Sequence, residues 1–126
     1  MADWRLAVDI GGTFTDVVLL EGARTPIGTF LGGLHRMSPT ALGTIASQAA
    51  LTRSHVPPED VDAVYFGNVI PSAKDTAYIA RHVSLEVGIP IEVPALHVNR
   101  ACGSGLEAIV QAAKSLMLGD APMVLA

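Results

Sequence analysis

The chain has 126 residues, half of them apolar and only 16% charged, a composition that can fill one buried core and excludes a disordered segment. Twelve acidic residues against eight basic ones leave a formal net charge of −4, with no basic stripe to meet a nucleic acid or an anionic membrane surface. No apolar run approaches the roughly 20 residues needed to cross a bilayer. Met1 to Arg5 also lacks the charged-then-apolar pattern of a secretory leader, so a cytoplasmic protein with neither nucleic-acid nor membrane partners is expected.

In chain order, Leu6 to Ile10 and Asp16 to Leu20 are short apolar runs rich in Val, Leu and Ile, separated by Gly11, Gly12 and Thr13. They read as two strands joined by a tight turn. Gly22 to Arg36 is too punctuated by Gly and Pro for a regular element. Ser38 followed by Pro39 forms an N-cap and first-turn pair, and Leu42, Ile45, Ala46 and Ala49 recur at helical spacing, predicting a helix to about Arg53. Pro57 and Pro58 then stop it.

Val61 to Val69 has the β-branched character of a strand ending near Gly67 and Asn68. Asp75 is placed to cap a second helix, with Ile79, Ala80, Val83 and Val87 on one face and Gly88 closing it. Pro90 and Pro94 bracket a short extended stretch before a strand at Ala95 to Val98. The third helix is the clearest: Leu106, Ile109, Val110, Ala113, Leu116 and Met117 form its apolar stripe, Glu107, Gln111 and Lys114 its other face, and Gly119 its end. Pro122 to Ala126 is strand-like, and the chain is expected to stop inside an element. Strands alternating with helices predict an α/β fold with right-handed crossovers and a mainly parallel sheet under covering helices.

Cys102 is the only cysteine, so no internal disulfide framework or structural zinc site can form, and no metal site is expected. It stands in Asn99-Arg100-Ala101-Cys102-Gly103-Ser104-Gly105, between a strand end and a helix start. Thiols at helix N-termini lie at the positive end of the macrodipole, which favours the nucleophilic thiolate. Gly103 and Gly105 remove β-carbons where a substrate or another backbone must approach. The Cys102 backbone N–H can also point at an oxyanion on an attacked thioester. Position alone leaves two readings open: a reactive thiol, or a small buried hydrophobe beside a glycine-rich turn.

Three ordered segments resemble the thiolase family. Glu21-Gly22-Ala23-Arg24-Thr25-Pro26-Ile27-Gly28 is similar to its first loop and Phe66-Gly67-Asn68-Val69 to the end of its second strand. Asn99-Arg100-Ala101-Cys102-Gly103-Ser104-Gly105-Leu106 is similar to its acyl-cysteine signature. The resemblance implies an acyl-CoA acyltransferase in which Cys102 takes an acyl group from a coenzyme A thioester and a second substrate removes it. It implies coenzyme A thioesters as substrates, no permanently bound cofactor, and a homo-oligomeric parent enzyme. It also implies a Gly-His-Pro base motif, a second cysteine in Cys-x-Gly-Gly-Gly, and an Asn-Glu-Ala-Phe segment, none of which occurs in these residues. His35, His55, His82 and His97 stand in no such context and are expected to be solvated or core histidines. The chain is therefore expected to be an incomplete thiolase-like N-terminal half, not fully active alone.

Leu6-Ala7-Val8-Asp9-Ile10-Gly11-Gly12-Thr13-Phe14-Thr15-Asp16 is similar instead to the N-terminal phosphate loop of hydantoinase A and oxoprolinase proteins. That resemblance implies glycines and Thr hydroxyls wrapped around nucleotide phosphates, with Asp9 helping to hold a metal. Half of a phosphate clamp supplies few contacts against the entropy of fixing a nucleotide. The expected organisation is a hydantoinase-like hairpin over residues 1–20 followed by a truncated thiolase N-terminal domain over residues 21–126. The alternatives are an ATP-binding segment and a non-catalytic chimeric fragment.

Overall fold

The computed structural model describes residues 17–126 together with the backbone of Ala7–Val8. Two antiparallel pairs, Ala7 with Val18 and Val8 with Val17, join β1 (Ala7–Val8) to β2 (Val17–Val18). Of the second expected strand, Leu19 and Leu20 lie outside β2, half exposed. The Gly-Gly-Thr turn and the Asp9 to Thr15 motif lie outside the described residues. From Gly22 to Arg36 there is no helix or strand, as the glycines and prolines predict.

The first helix, α1 (Pro39–Ser54), begins where the sequence signals it: Ser38 is extended, and its Oγ accepts the Ala41 N–H at 3.1 Å. It ends at His55, whose φ of 56° turns the chain left-handed two residues before Pro57. Its buried residues, however, are Thr40, Thr44, Ser47 and Leu51, while Ile45 of the expected stripe is 48% exposed. Close approach explains the difference. A β-carbon on Gly43 would stand 3.0 Å from both Phe66 and Val83, so small and hydroxyl-bearing residues turn inward. Thr44 Oγ1 also donates to Glu86 Oε2 across the α1–α2 contact at 2.8 Å.

After a 3₁₀ turn at Pro58–Asp60, β3 (Ala63–Gly67) forms the centre of a parallel sheet ordered β4-β3-β5. It pairs with β4 (Ala95–Val98) from Val64 opposite Ala95 to Gly67 opposite Val98, and with β5 (Val124–Leu125) through Ala63 and Val64. Each strand of the sheet is reached through a helix, as expected for parallel crossovers. The crossover helix α2 (Ile79–Val87) buries Ile79, Ala80, Val83 and Val87, the four residues its periodicity selects, and ends at Gly88 with φ 97°. Asp75 does not cap it. A 3₁₀ turn at Thr76–Tyr78 intervenes, and Thr76 Oγ1 closes the entry by donating to the Ala73 carbonyl at 2.8 Å and accepting the Ala73 N–H at 3.1 Å.

The core joins Leu51, Val61, Val64, Ile79, Val83, Val87, Ile89 and Leu125, with Phe66, Val93 and Met123 packed around it. Against β3 lies α3 (Ser104–Leu118), which ends at Gly119 as predicted. Its buried residues are Ser104, Ala108, Ala112 and Ser115, so the expected apolar stripe is not its packing face. Leu106, Ile109 and Met117 are 68%, 55% and 41% exposed. Alanines and serines let the helix axis come close to the sheet, which leaves the large side chains on the outer side. No helix among the described residues is long and apolar enough to cross a membrane.

Candidate active site

The parallel pair β3–β4 delivers two chain ends to one edge, the carboxyl edge, where α/β folds place ligands. The ladder continues one step beyond β3, with the Asn68 N–H donating to the Val98 carbonyl at 3.2 Å. His97 Nε2 lies 2.8 Å from the Asn68 carbonyl oxygen. Because a carbonyl only accepts, this contact assigns the proton to Nε2 and ties the half-buried ring to the backbone. Asn99 follows β4 and spans the gap between the strand ends: its Nδ2 donates to the Val69 carbonyl and its Oδ1 accepts the Ala101 N–H, both at 3.1 Å.

From there the chain reverses into α3. Ala101 takes φ 47°, a left-handed conformation in a residue that has a β-carbon, at a cost of about 1–2 kcal/mol. Two consecutive turns follow. The Gly103 N–H reaches the Arg100 carbonyl at 3.0 Å and the Ser104 N–H reaches the Ala101 carbonyl at 3.1 Å. Cys102 sits between them with its thiol exposed. Among the described residues, then, the side chain is not packed into the core.

The first helical bond runs from the Glu107 N–H to the Gly103 carbonyl at 2.9 Å. Among the described residues the Gly105 and Leu106 N–H groups have no such partner, so the helix opens toward the cysteine turn with free donors. Gly67 makes this arrangement possible. A β-carbon there would stand 2.7 Å from the Gly105 nitrogen and closer still to Ser104. Downstream, Arg100 donates to Glu107 at 2.6 Å and Gln111 Nε2 donates to the other Glu107 oxygen at the same distance. The Gln111 hydrogen bond first, then that of Arg100, holds the Glu107 carboxyl below its ordinary 4.5. The turn therefore combines an accessible thiol, free amide donors and a fixed backbone, which suits attack on a carbonyl carbon.

The remaining histidines do not converge on Cys102 by hydrogen bonding. His35 is exposed and bonds the Gly32 carbonyl through Nδ1 at 2.7 Å, and His55 forms the exposed end of α1. No group of three or more His, Cys, Asp or Glu side chains among the described residues could hold a metal ion. An open cavity of about 230 Å³ lined by Gln48, Leu51, Thr52, Val56, Pro58 and Val87 lies at the end of α1, separate from the cysteine turn. Gly67 and Ser104, as supports of the turn, were not singled out by residue type. The Gly-Ser-Gly spacing after Cys102 was the signal that could have found Ser104.

Residues 17–126 match the family model described as thiolase, N-terminal domain. Mouse mitochondrial 3-ketoacyl-CoA thiolase is 46% identical over 109 residues, covering 86% of this chain and 28% of that enzyme. The beta-ketothiolase BktB of Cupriavidus necator is 47% identical over 105 residues, covering 83% of this chain and 27% of the relative. Human mitochondrial 3-ketoacyl-CoA thiolase, solved in complex with CoA, superposes with a TM-score of 0.79 at 45% identity, covering 81% of this chain and 26% of its own. The chain thus spans a little over a quarter of the length of these relatives. The expectation of a cytoplasmic location is overturned by relatives named as mitochondrial enzymes from mouse, cattle, rat and human. With the sheet, the cysteine turn and the match in agreement, the chain belongs to the thiolase family.

Proposed function

We propose that the chain serves thiolase-type acyl transfer between coenzyme A thioesters, with Cys102 as the residue that accepts the acyl group. The observation that carries this reading is the exposed Cys102 thiol at the carboxyl edge of the parallel sheet, directly before α3. In the step assigned to it, the Cys102 sulfur attacks the thioester carbonyl carbon and a new C–S bond forms. The C–S bond to coenzyme A breaks, and the departing coenzyme A thiolate takes up the proton that Cys102 gave up. The carbonyl oxygen carries negative charge in between, and the N–H groups in the first turn of α3 that lack a partner among the described residues are suited to receive it. The CoA complex of the human relative supports coenzyme A thioesters as the substrate class.

Acceptance of the acyl group is the half-reaction assigned to these residues, because the base and second-cysteine motifs that the family resemblance implies do not occur among them. Residues 21–126 form the thiolase part of this reading, within a family match that starts at residue 17, and residues 1–20 a segment of separate origin. The outer face of α3, with Leu106, Ile109 and Met117 exposed, suits a protein that works covered by a further copy or chain.

Incubation with acetyl-CoA followed by intact-mass measurement tests the proposal. One acetyl group per chain is expected, absent from Cys102→Ser and released by hydroxylamine as a thioester. A chain that stays unmodified while its Cys102 still alkylates readily would overturn it.

A further inference from the structure

Ser104 is 4% exposed, and its hydroxyl both accepts and donates within the turn. Its Oγ accepts the Arg100 N–H at 2.9 Å and donates to the Ala101 carbonyl at 2.6 Å. A hydroxyl offers one donor, and here that donor is spent on the backbone, so the group is not free to donate to a substrate carbonyl. Nor does a side chain cap the helix: Gly103 occupies the capping position, and Ser104 faces back into the preceding turn.

The two bonds bracket the one residue of the turn that is held in an unfavourable conformation. Relaxing Ala101 from φ 47° to an ordinary negative φ would swing its flanking peptides and break the contact between its carbonyl and Ser104. We propose that Ser104 is a positioning residue: it holds Ala101 left-handed and thereby presents the Cys102 thiol at the open end of α3. Gly67 leaves the space that the Ser104 backbone occupies, and Asn99 pins the Ala101 N–H from the other side. This inference rests on the reading of Cys102 as the acyl acceptor and adds the residue that orients it.

The test uses iodoacetamide on the 126-residue chain, with Cys102 alkylation followed by intact mass and folding by circular dichroism. The parent is expected to react faster than a cysteine in a short unstructured peptide. Ser104→Ala is expected to slow alkylation on the order of tenfold, toward the peptide rate. Adding Ala101→Gly in the Ser104→Ala background is expected to restore the parental rate, because glycine adopts the left-handed conformation without a clamp. A merely structural role for the hydroxyl would not be rescued at Ala101.

A folded Ser104→Ala chain reacting within about twofold of the parent would overturn the proposal. So would a double variant as slow as the single one, or loss of the helical signal in both. Alkylation needs no coenzyme A, so failure of acetyl transfer in the parent bears on the proposed function alone.

Discussion

Gly67 and Gly105 meet backbone to backbone: a β-carbon on the first would lie 2.7 Å from the nitrogen of the second. One residue at the end of β3 therefore sets how closely α3 can start above the sheet. Gly67→Ala is expected to push the start of α3 away and to destabilise the chain by about 1–3 kcal/mol, the usual cost of overpacking. Cys102 alkylation should slow as well, because the turn moves with the helix. Urea unfolding and iodoacetamide kinetics on the same variant check both effects. Unchanged stability would mean that the contact yields at no cost.

Two polar residues precede the first two long helices, and only one of them caps. Ser38→Ala removes the bond from Ala41 N–H to Ser38 Oγ and is expected to cost about 1 kcal/mol. Asp75→Ala removes no capping bond and should stay within about 0.5 kcal/mol of the parent. Denaturant midpoints of the two variants, compared in one buffer, give the contrast.

Capping of α1 was legible because Ser38 and Pro39 act within one turn of chain. The Asp75 cap was not, since a 3₁₀ turn closed by Thr76 displaces the helix start to Ile79. The β4 limits and the ends of α2 and α3 at Gly88 and Gly119 were legible for the same local reason: Pro94, Gly88 and Gly119 restrict or free the backbone where they stand. Packing faces were legible only where large residues pack. Periodicity finds the inward face of α2, but on α1 and α3 the inward residues are small because the elements approach closely. The thiol's place at a helix start was readable, but the close approach expected at Gly103 and Gly105 falls at Gly67 instead: a β-carbon on Gly105 would meet nothing within 4 Å. The support from Asn99 and Gly67 depends on contacts between segments distant in the chain, which no local pattern reveals, whereas Ser104 bonds residues only three and four positions before it.

Glu107 makes the chain sensitive to acid in a defined direction. Its carboxyl is held below 4.5, first by Gln111 and then by Arg100, so the ionised form is favoured in the folded state. A lowered carboxyl contributes stability above its unfolded value and loses that contribution as the pH falls through the folded one. Glu107→Gln should therefore differ from the parent by a constant amount at neutral pH, with the difference shrinking on acidification. Gln111→Ala should weaken the same dependence more than Arg100→Ala. Thermal midpoints from about pH 7 to about pH 3 measure it, and parallel curves for parent and Glu107→Gln would show that the pair carries no such linkage.

The two sides of α3 predict opposite outcomes for substitution. Leu106 and Met117 are exposed, so Leu106→Glu with Met117→Lys leaves the core intact, adds no net charge and places each charge favourably for the helix dipole. Stability should change by no more than about 0.5 kcal/mol. Self-association of the chain, which an exposed apolar face promotes, should fall in sedimentation velocity. Ala108 and Ala112 are 2% and 7% exposed against the sheet. Either one changed to Leu should cost about 1–3 kcal/mol, because the helix cannot back away without lifting Ser104 from Gly67. The same lift should slow Cys102 alkylation in the alanine-to-leucine variants and leave it unchanged in the surface pair. Loss of stability in the surface pair, with tolerance of leucine at Ala108 and Ala112, would show that the apolar stripe packs inward after all.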